Sequence, residues 1–339
     1  MKAIVLRVNG DPSVLRLEEW PDPQPQPHEV VVKVGAVGVP YHDIVERNGV
    51  LRPGHGLPKI LGNEIAGTVV ALGSGVAAPK IGARVCSKGF HSCGECRRCR
   101  NGNETLCSRR RVVSGGYAEY VAIPAEALVE IPDTISFAEA CMLGSSTAVA
   151  LNALRDIAQV RLGASVLVTG ASGGVGLPAL QIAKAAGANV IAMTHSPAKG
   201  EALAEGGARH VVVAENGRDF SDDVRKLTGD DGVDIVIDTV GSKVFAPAFR
   251  SLATGGRYVV VGQLTRDEVA LNLARIIFKA ATISGVTSAR RDQLEDVVGL
   301  VAAGRLRSQI AKIMPLSQAA EAHALVESGG IVGRVVLQP

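Results

Sequence analysis

Four cysteines crowd into one short stretch, "CGECRRCRNGNETLC", from Cys93 to Cys107. Their spacing is Cys93-x2-Cys96-x2-Cys99-x7-Cys107. Thiolates at such intervals can close tetrahedrally on a single Zn²⁺, and four protein ligands leave no position open for substrate. The expected ion is therefore structural, one per subunit. An iron–sulfur cluster is the lesser alternative. Cys86 and Cys141 stand apart and read as small buried hydrophobes.

A second stretch, "SVLVTGASGGVGLPALQIAKAAG", reads as strand, glycine-rich turn and helix. Gly173 lets a pyrophosphate approach the backbone, and Gly176 lets the helix pack closely on the strand. The turn Ser172, Gly173, Gly174, Val175, Gly176 leads into a helix N-terminus that offers oriented N–H groups to phosphate. A glycine triplet alone is weak. Its strand–turn–helix setting, with further βα units downstream, makes it a dinucleotide site. The next strand selects the cofactor. NAD sites end that strand with an acid that binds ribose hydroxyls, but "AMTHSPAK" has none between Thr194 and Lys199. Lys199 is placed to meet a 2′-phosphate, with Ser196 as a neutral donor and His195 nearby. NADPH is expected, NADH less so. Without a ligand, Lys199 reads as a solvated lysine in a first helical turn.

The third stretch is "ILGNEIAGTVVALG", from Ile60 to Gly73. It has the apolar, β-branched character of a buried strand, yet Asn63 and Glu64 sit side by side near its start. A carboxylate entering a core is costly unless something pairs with it. Glu64 should therefore meet a base, or donate a hydrogen bond when protonated.

The elements that must position these groups fall into two kinds. Up to about residue 125 the chain carries short β-like runs, among them "KAIVLRV", "EVVVKVGAVGV", "GARVCS" and "YAEYVAI". Glycine, proline and aspartate separate them. This part is expected to be a mostly β, barrel-like domain. "SFAEACMLGSSTAVALNALRDIA" has helical spacing. Apolar strands then alternate with helices, which implies a parallel sheet covered on both faces. The tail from about Asp292 reads as two helical segments, and "GRVVLQ" as a strand that rejoins the first part. The expected division is a catalytic domain of residues 1–145 and 284–339 and a dinucleotide-binding domain of residues 146–283.

Composition narrows the partners. The chain has 339 residues, 47% hydrophobic and 20% charged, which is ordinary for a globular protein. Aromatic residues are only 3%, too few for a nucleic-acid stacking surface, and a net charge of +3 argues for no polyanion. Arg97, Arg98, Arg100 and Arg109 to Arg111 read as a solvated loop. No apolar run is expected to span a membrane. The N-terminus reads as a first strand rather than a signal peptide. A cytoplasmic protein with reduced cysteines is expected.

Taken in order, "MKAIVL", "GVPYHDIVERNG", "LPKILGNEIAGTVVALG", the four-cysteine loop, "GGYAEYVAIP", "TGASGGVG", "DTVG" and "VGRVVL" resemble the medium-chain dehydrogenase/reductase superfamily over essentially the whole chain. The resemblance implies an α/β protein: a GroES-like β-barrel catalytic domain plus a doubly wound parallel-sheet Rossmann domain, with a substrate cleft between them. It also implies homodimers or homotetramers, paired through the last Rossmann strand near "TISGVTS". Zinc-dependent alcohol dehydrogenases of this superfamily hold a catalytic zinc at three positions that here carry Pro40, Asn63 and Leu143. Pro and Leu cannot ligate zinc and Asn rarely does, while the neighbouring acids Asp43 and Glu64 remain. A site improvised from His42, Asp43 and Glu64 is the lesser reading.

Branches of the superfamily without this metal are largely quinone oxidoreductases and enoyl or acryloyl-thioester reductases. "TGASGGVG", with Ala171, is similar to that group; the zinc loop departs from the simple quinone reductases. The implied activity is NADPH-dependent reduction of an activated C=C bond or a quinone on a small-molecule acceptor. A zinc-independent ketone or alcohol dehydrogenase and a non-catalytic NADPH-binding protein are the alternatives. Tyr41 and His42 are the proton-donor candidates, with Glu64 beside them. His42 could equally be a structural partner of Asp43 or Glu64, and Tyr41 a contact to the cofactor diphosphate. Thr147, Val240, Gly262 and Gln263 complete the cofactor set, with Arg334 near the diphosphate. The loops "ERNGVLRPGHGLP" and "FKAATISG" are expected to wall the acceptor pocket.

Overall fold

In the strand Glu29–Gly38, Val30, Val32 and Val34 turn into a core while Lys33 faces solvent, the alternation of a half-buried strand. This strand organises the first unit. One edge pairs antiparallel with Glu64–Leu72. The other pairs with Tyr120–Pro124 over its first half and with Arg334–Gln338 at its end, where Gly38 lies opposite Val336. Changing partners along one strand curls the sheet. Arg84–Ser87 and Leu128–Glu130 extend it on one side and Ile310–Pro315 on the other. The valines meet Leu61, Ile65, Val69, Val121 and Leu337 in one core.

The structure is a computed structural model and describes residues 1–50 and 53–339. Leu51 and Arg52, in one loop expected to wall the pocket, lie outside the described residues. The chain forms two compact units, Met1–Ala148 with Ala289–Pro339, and Val149–Ser288. The cuts fall a few residues later than the sequence reading placed them. In the tail, the strand Ile310–Pro315 lies between helices Arg291–Ala302 and Ala319–Glu327. The sequence reading missed it because "IAKIMP" is too short to show a period.

The second unit is a six-stranded parallel sheet. In spatial order its strands are His210–Val213, Asn189–Thr194, Ser165–Thr169, Val233–Asp238, Leu252–Val260 and Thr282–Gly285. That is the doubly wound order, in which the direction of winding reverses between Ser165–Thr169 and Val233–Asp238 and leaves a crevice at their carboxyl ends. Leu167, Ile191, Val236 and Tyr258 pack its core with Phe245 and Phe249.

The helix Phe137–Ile157 has 21 residues and is apolar enough to cross a membrane, but 83% of its most apolar window is buried inside the protein. Its apolar surface is core. It begins at a capping box, with Glu139 N donating to Ser136 Oγ and Ser136 N to Glu139 Oε2.

Candidate active site

The four-cysteine loop leaves the barrel at Phe90–His91 and returns at Arg111–Val112, two short strands paired antiparallel. Sγ separations are 3.5 Å for Cys93–Cys107 and Cys96–Cys99, 3.9 Å for Cys93–Cys99 and 4.0 Å for Cys96–Cys107. A tetrahedron with Zn–S bonds of about 2.3 Å has edges of about 3.8 Å. The four sulfurs therefore fit one zinc ion. Backbone N–H groups of Cys96 and Arg109 point at Cys93 Sγ and Cys107 Sγ at 3.4 and 3.3 Å, stabilising thiolate charge. Lys88, only 1% exposed, ties the loop to the barrel by bridging Glu104 and Glu126 at 2.8 and 2.7 Å. Among the described residues, the His, Cys, Asp and Glu side chains converge as a possible metal ligand set at these four cysteines alone.

In the second unit, Ser172 to Val175 form the turn from strand Ser165–Thr169 into helix Gly176–Ala185. A Cβ on Gly176 would lie 2.4 Å from the Gly170 carbonyl oxygen, so only glycine lets helix and strand approach this closely. Lys199 is 5% exposed and its Nζ donates to Ser172 Oγ at 3.1 Å. The ammonium thus stands over the glycine-rich turn rather than in solvent, and burial lowers its pKa. Ser196 is held by its own N–H to Thr194 Oγ1. At the neighbouring strand end, Asp238 accepts from Thr169, Tyr258 and the N–H groups of Val240 and Gly241. Gly262 packs so tightly on Thr239 that a Cβ would come 2.5 Å from its carbonyl oxygen. The Gln263 side chain accepts from Ser242 N and donates to Ser242 Oγ and the Asp267 carbonyl. It holds the N-terminus of the helix Ser242–Arg250, so its amide is already engaged.

In the first unit, Gly62 adopts φ +96°, and a Cβ there would lie 2.6 Å from the Tyr117 ring. This left-handed turn, pinned by Tyr117 N to Leu61 O and Gly116 N to Gly62 O, sets Asn63 and Glu64 facing different ways. Glu64 is 1% exposed. Its Oε1 accepts from Ser145, Ser146 and Arg334 at 2.7, 2.9 and 3.0 Å, and Arg334 Nε lies 2.9 Å from Oε2. Burial pushes the Glu64 pKa up, opposed by the Arg334 charge and the two serine hydroxyls. Gly38 leaves the space: a Cβ there would fall 2.1 Å from Glu64 Oε2. Arg334 is likewise 8% exposed, inside the sheet rather than on its surface.

Beside this turn lies a cavity of about 360 Å³ whose walls include Trp20, His42, Asp43, Lys59, Asn63 and Ser114. Glu64 is not on the wall, so its carboxylate serves the Arg334 pair and not the cavity. Tyr41 starts the helix Tyr41–Arg47, is 37% exposed and also lies off the wall. His42 is on it. Its Nδ1 lies 3.5 Å from Asp43 Oδ1 and its Nε2 3.9 Å from Glu46 Oε2. Its pKa is raised, chiefly by Asp43, with Glu46 adding to this and burial and Lys59 opposing. Asp43 Oδ2 and Asn63 Oδ1 are buried without hydrogen-bond partners. Pro40 and Leu143 are buried, and Thr147 is 4% exposed in the long helix. The sequence reading missed Trp20, Lys59 and Ser114, which carry no local motif.

A family model described as alcohol dehydrogenase GroES-like domain matches residues 26–133, and one described as zinc-binding dehydrogenase matches residues 174–303. The chain belongs to the medium-chain dehydrogenase/reductase superfamily and is an oxidoreductase of that group. It is 35% identical to acryloyl-coenzyme A reductase of Sulfurisphaera tokodaii, over 100% of both chains. It is 32% identical to quinone oxidoreductase of Rattus norvegicus, over 99% of this chain and 97% of that one. A solved structure described as an NAD-dependent alcohol dehydrogenase superposes over 100% of both chains with a TM-score of 0.94 at 36% identity.

Proposed function

We propose that this chain is an NADPH-dependent reductase of an activated C=C bond or a quinone, working without catalytic zinc. The observation that carries this reading is the residue set Pro40, Asn63 and Leu143 at the positions where zinc enzymes of the superfamily carry ligands. The relatives described as acryloyl-coenzyme A reductase and quinone oxidoreductase support it. Bound NADPH would supply hydride to the β-carbon of the acceptor. Ser172, Gly173, Gly174, Val175, Gly176 and Lys199 would hold its phosphates, with Thr147, Val240 and Gly262 as further contacts. His42 would deliver the proton that completes reduction, at the α-carbon or the oxygen of the acceptor. Tyr41 is the lesser candidate, because it lies off the cavity wall. Glu64 and Arg334 are assigned to holding the Asn63 turn.

The test is turnover of the purified protein with NADPH on an enoyl thioester, a quinone, a simple ketone and an alcohol, with and without a strong chelator. Reduction of the first or second, unchanged by chelator while the structural zinc stays bound, supports the reading. Alcohol oxidation that disappears with chelator and returns with zinc sinks it. Zinc-independent ketone reduction would favour the alternative, which the likeness to an alcohol dehydrogenase structure keeps open. Tight NADPH binding with no turnover would favour a non-catalytic role.

Metal analysis should find one zinc per chain, held by Cys93, Cys96, Cys99 and Cys107. Cys99→Ser should release it and lower thermal stability more than the rate of hydride transfer. Two tightly held zincs per chain would contradict the metal-free cavity. Lys199→Ala should weaken NADPH binding by ~1.5–3 kcal/mol, roughly 10- to 150-fold, and leave NADH binding little changed. Equal weakening of both cofactors, measured by titration, would overturn the NADPH preference.

We place the protein in the cytoplasm, where the four thiols stay reduced for zinc. We further propose a homodimer or homotetramer formed through Thr282–Gly285. This edge strand carries Ile283 37% exposed, and the preceding helix Leu273–Lys279 presents Ile277 and Phe278, 74% and 83% exposed. Light scattering of the protein in solution checks it: a monomeric mass would exclude the assembly.

A further inference from the structure

Asn63 is 8% exposed and lines the cavity of about 360 Å³, and its Oδ1 is buried without a hydrogen-bond partner. Its neighbours Ser114, Lys59 and His42 on that wall have partners. Ser114 Oγ donates to the Ile60 carbonyl at 2.7 Å. Lys59 Nζ donates to Glu46 Oε1 and to the His55 carbonyl. His42 Nδ1 and Asp43 Oδ2 lack hydrogen bonds too, but a protonated His42 has Asp43 Oδ1 3.5 Å away as its ionic partner. The Asn63 side chain hydrogen-bonds to no group among the described residues. A buried amide left unpaired is costly, and in a native protein it marks a place that a ligand or a water completes.

The backbone that carries this amide is fixed on both sides. Before it, the left-handed Gly62 is pinned by Gly116 N to Gly62 O at 3.0 Å and Tyr117 N to Leu61 O at 2.9 Å. After it, Glu64 is locked by Ser145, Ser146 and Arg334. A rigid backbone bearing an unspent amide is a preorganised dipole, aimed before any ligand arrives. Since Oδ1 is buried, the end left to serve the cavity is the NH₂ group, a neutral donor. The charges around it are of both signs, Asp43 and Glu46 against Lys59 and His42. The cavity is at the small end of ligand sites, which suits a short acyl group or a single ring.

We propose that Asn63 is a catalytic residue that donates its side-chain N–H to the carbonyl oxygen of an α,β-unsaturated acceptor, an enoyl thioester or an enone, and holds the negative charge that gathers there. This rests on the chain being a zinc-free NADPH-dependent reductase, and it narrows the acceptor to an alkene conjugated to a carbonyl. The β-carbon takes up hydride with its electron pair from NADPH. The π pair of the C=C bond shifts to join the α-carbon to the carbonyl carbon, and the carbonyl pair moves onto oxygen as an enolate. The Asn63 N–H strengthens its hydrogen bond to that oxygen and keeps its proton. The α-carbon then takes a proton, for which His42 is the donor, and the saturated carbonyl compound and NADP⁺ remain.

The probes are a crotonyl thioester and cyclohexenone, with NADPH for turnover and NADP⁺ for binding. On whichever of them the wild-type protein reduces, Asn63→Ala should lower turnover by about 10²–10³, the usual cost of one lost oxyanion donor. KM and NADPH affinity should change only a few-fold. Asn63→Asp, of the same size with no N–H, should lose at least as much. With NADP⁺ bound no hydride can move, and the infrared carbonyl stretch of the ¹³C-labelled probe on the protein should lie below its solution value. Asn63→Ala should return it toward that value. An amide without a partner in the fold supports no structure, so Asn63→Ala should unfold close to the wild-type temperature. Near-normal turnover in both variants, an unshifted stretch on the wild-type protein, or a large fall in unfolding temperature overturns the role of Asn63 and leaves the reductase reading standing. Reduction of a quinone but of neither probe does the same. If the wild-type protein reduces none of these acceptors, the reductase reading falls and the role of Asn63 with it.

Discussion

Replacing His42 with Gln is expected to lower turnover on an enone or enoyl thioester by about 10²–10⁴, the usual contribution of a positioned general acid, while NADPH affinity stays within a few-fold. The sign of the pH dependence follows from Asp43. The nearby carboxylate raises the His42 pKa from its ordinary value, so the ring keeps its proton to higher pH than a free imidazole would. Turnover should fall as pH rises through that raised pKa, and this alkaline limb should vanish in the variant. A quinone that takes its proton from water should be affected less, so the enone is the more stringent probe. If His42→Gln and Tyr41→Phe both keep near-normal enone turnover, the proton comes from solvent or the cofactor ribose. The catalytic assignment would then be withdrawn.

Arg334→Met should be the most destabilising of the substitutions considered. It leaves the Glu64 carboxylate, 1% exposed, with only the hydroxyls of Ser145 and Ser146. Removing one partner of a buried ion pair costs about 3–5 kcal/mol, whereas replacing both is often far milder. Urea unfolding should therefore show a large drop in midpoint at an unchanged slope. The double variant Glu64→Gln, Arg334→Met should recover much of it. The pH dependence has a definite direction. Burial already holds the folded pKa of Glu64 above its ordinary value, and without Arg334 it rises further, so folding takes up a proton. The variant's deficit should then be smallest below about pH 4, near the unfolded glutamate pKa, and grow as pH rises through the folded value. A loss under about 1 kcal/mol at neutral pH would show that the pair behaves as an exposed one and that Glu64 is not held as described.

The parts of this protein that were legible in its sequence are those whose partners lie close along the chain. The zinc loop needs four thiolates at short intervals, and "CGECRRCRNGNETLC" spells out that geometry. The glycine-rich turn is similar: strand, turn and helix are contiguous, and Gly176 is required by a carbonyl six residues before it. The alternation of strands and helices identified the parallel sheet, because each crossover is a local unit. The missing acid after "NVIAMT" likewise pointed to Lys199, although only the folded chain brings its ammonium onto Ser172.

What the tertiary structure decided is what each buried polar group meets. The sequence required Glu64 to have a partner but could not name it. Arg334 is 270 residues away, and Ser146 is 82. Arg47 and His323 are 276 residues apart, and Tyr117 and His323 are 206. Side chains so distant meet only through sheet register and helix packing. Those are determined by the whole set of apolar contacts, and no local periodicity records them. The same reason separates Glu64 from the cavity. Adjacent residues in a strand point to opposite faces, and the left-handed Gly62 before them sets which face each takes. Asn63 therefore lines the cavity while its neighbour is sealed against Arg334.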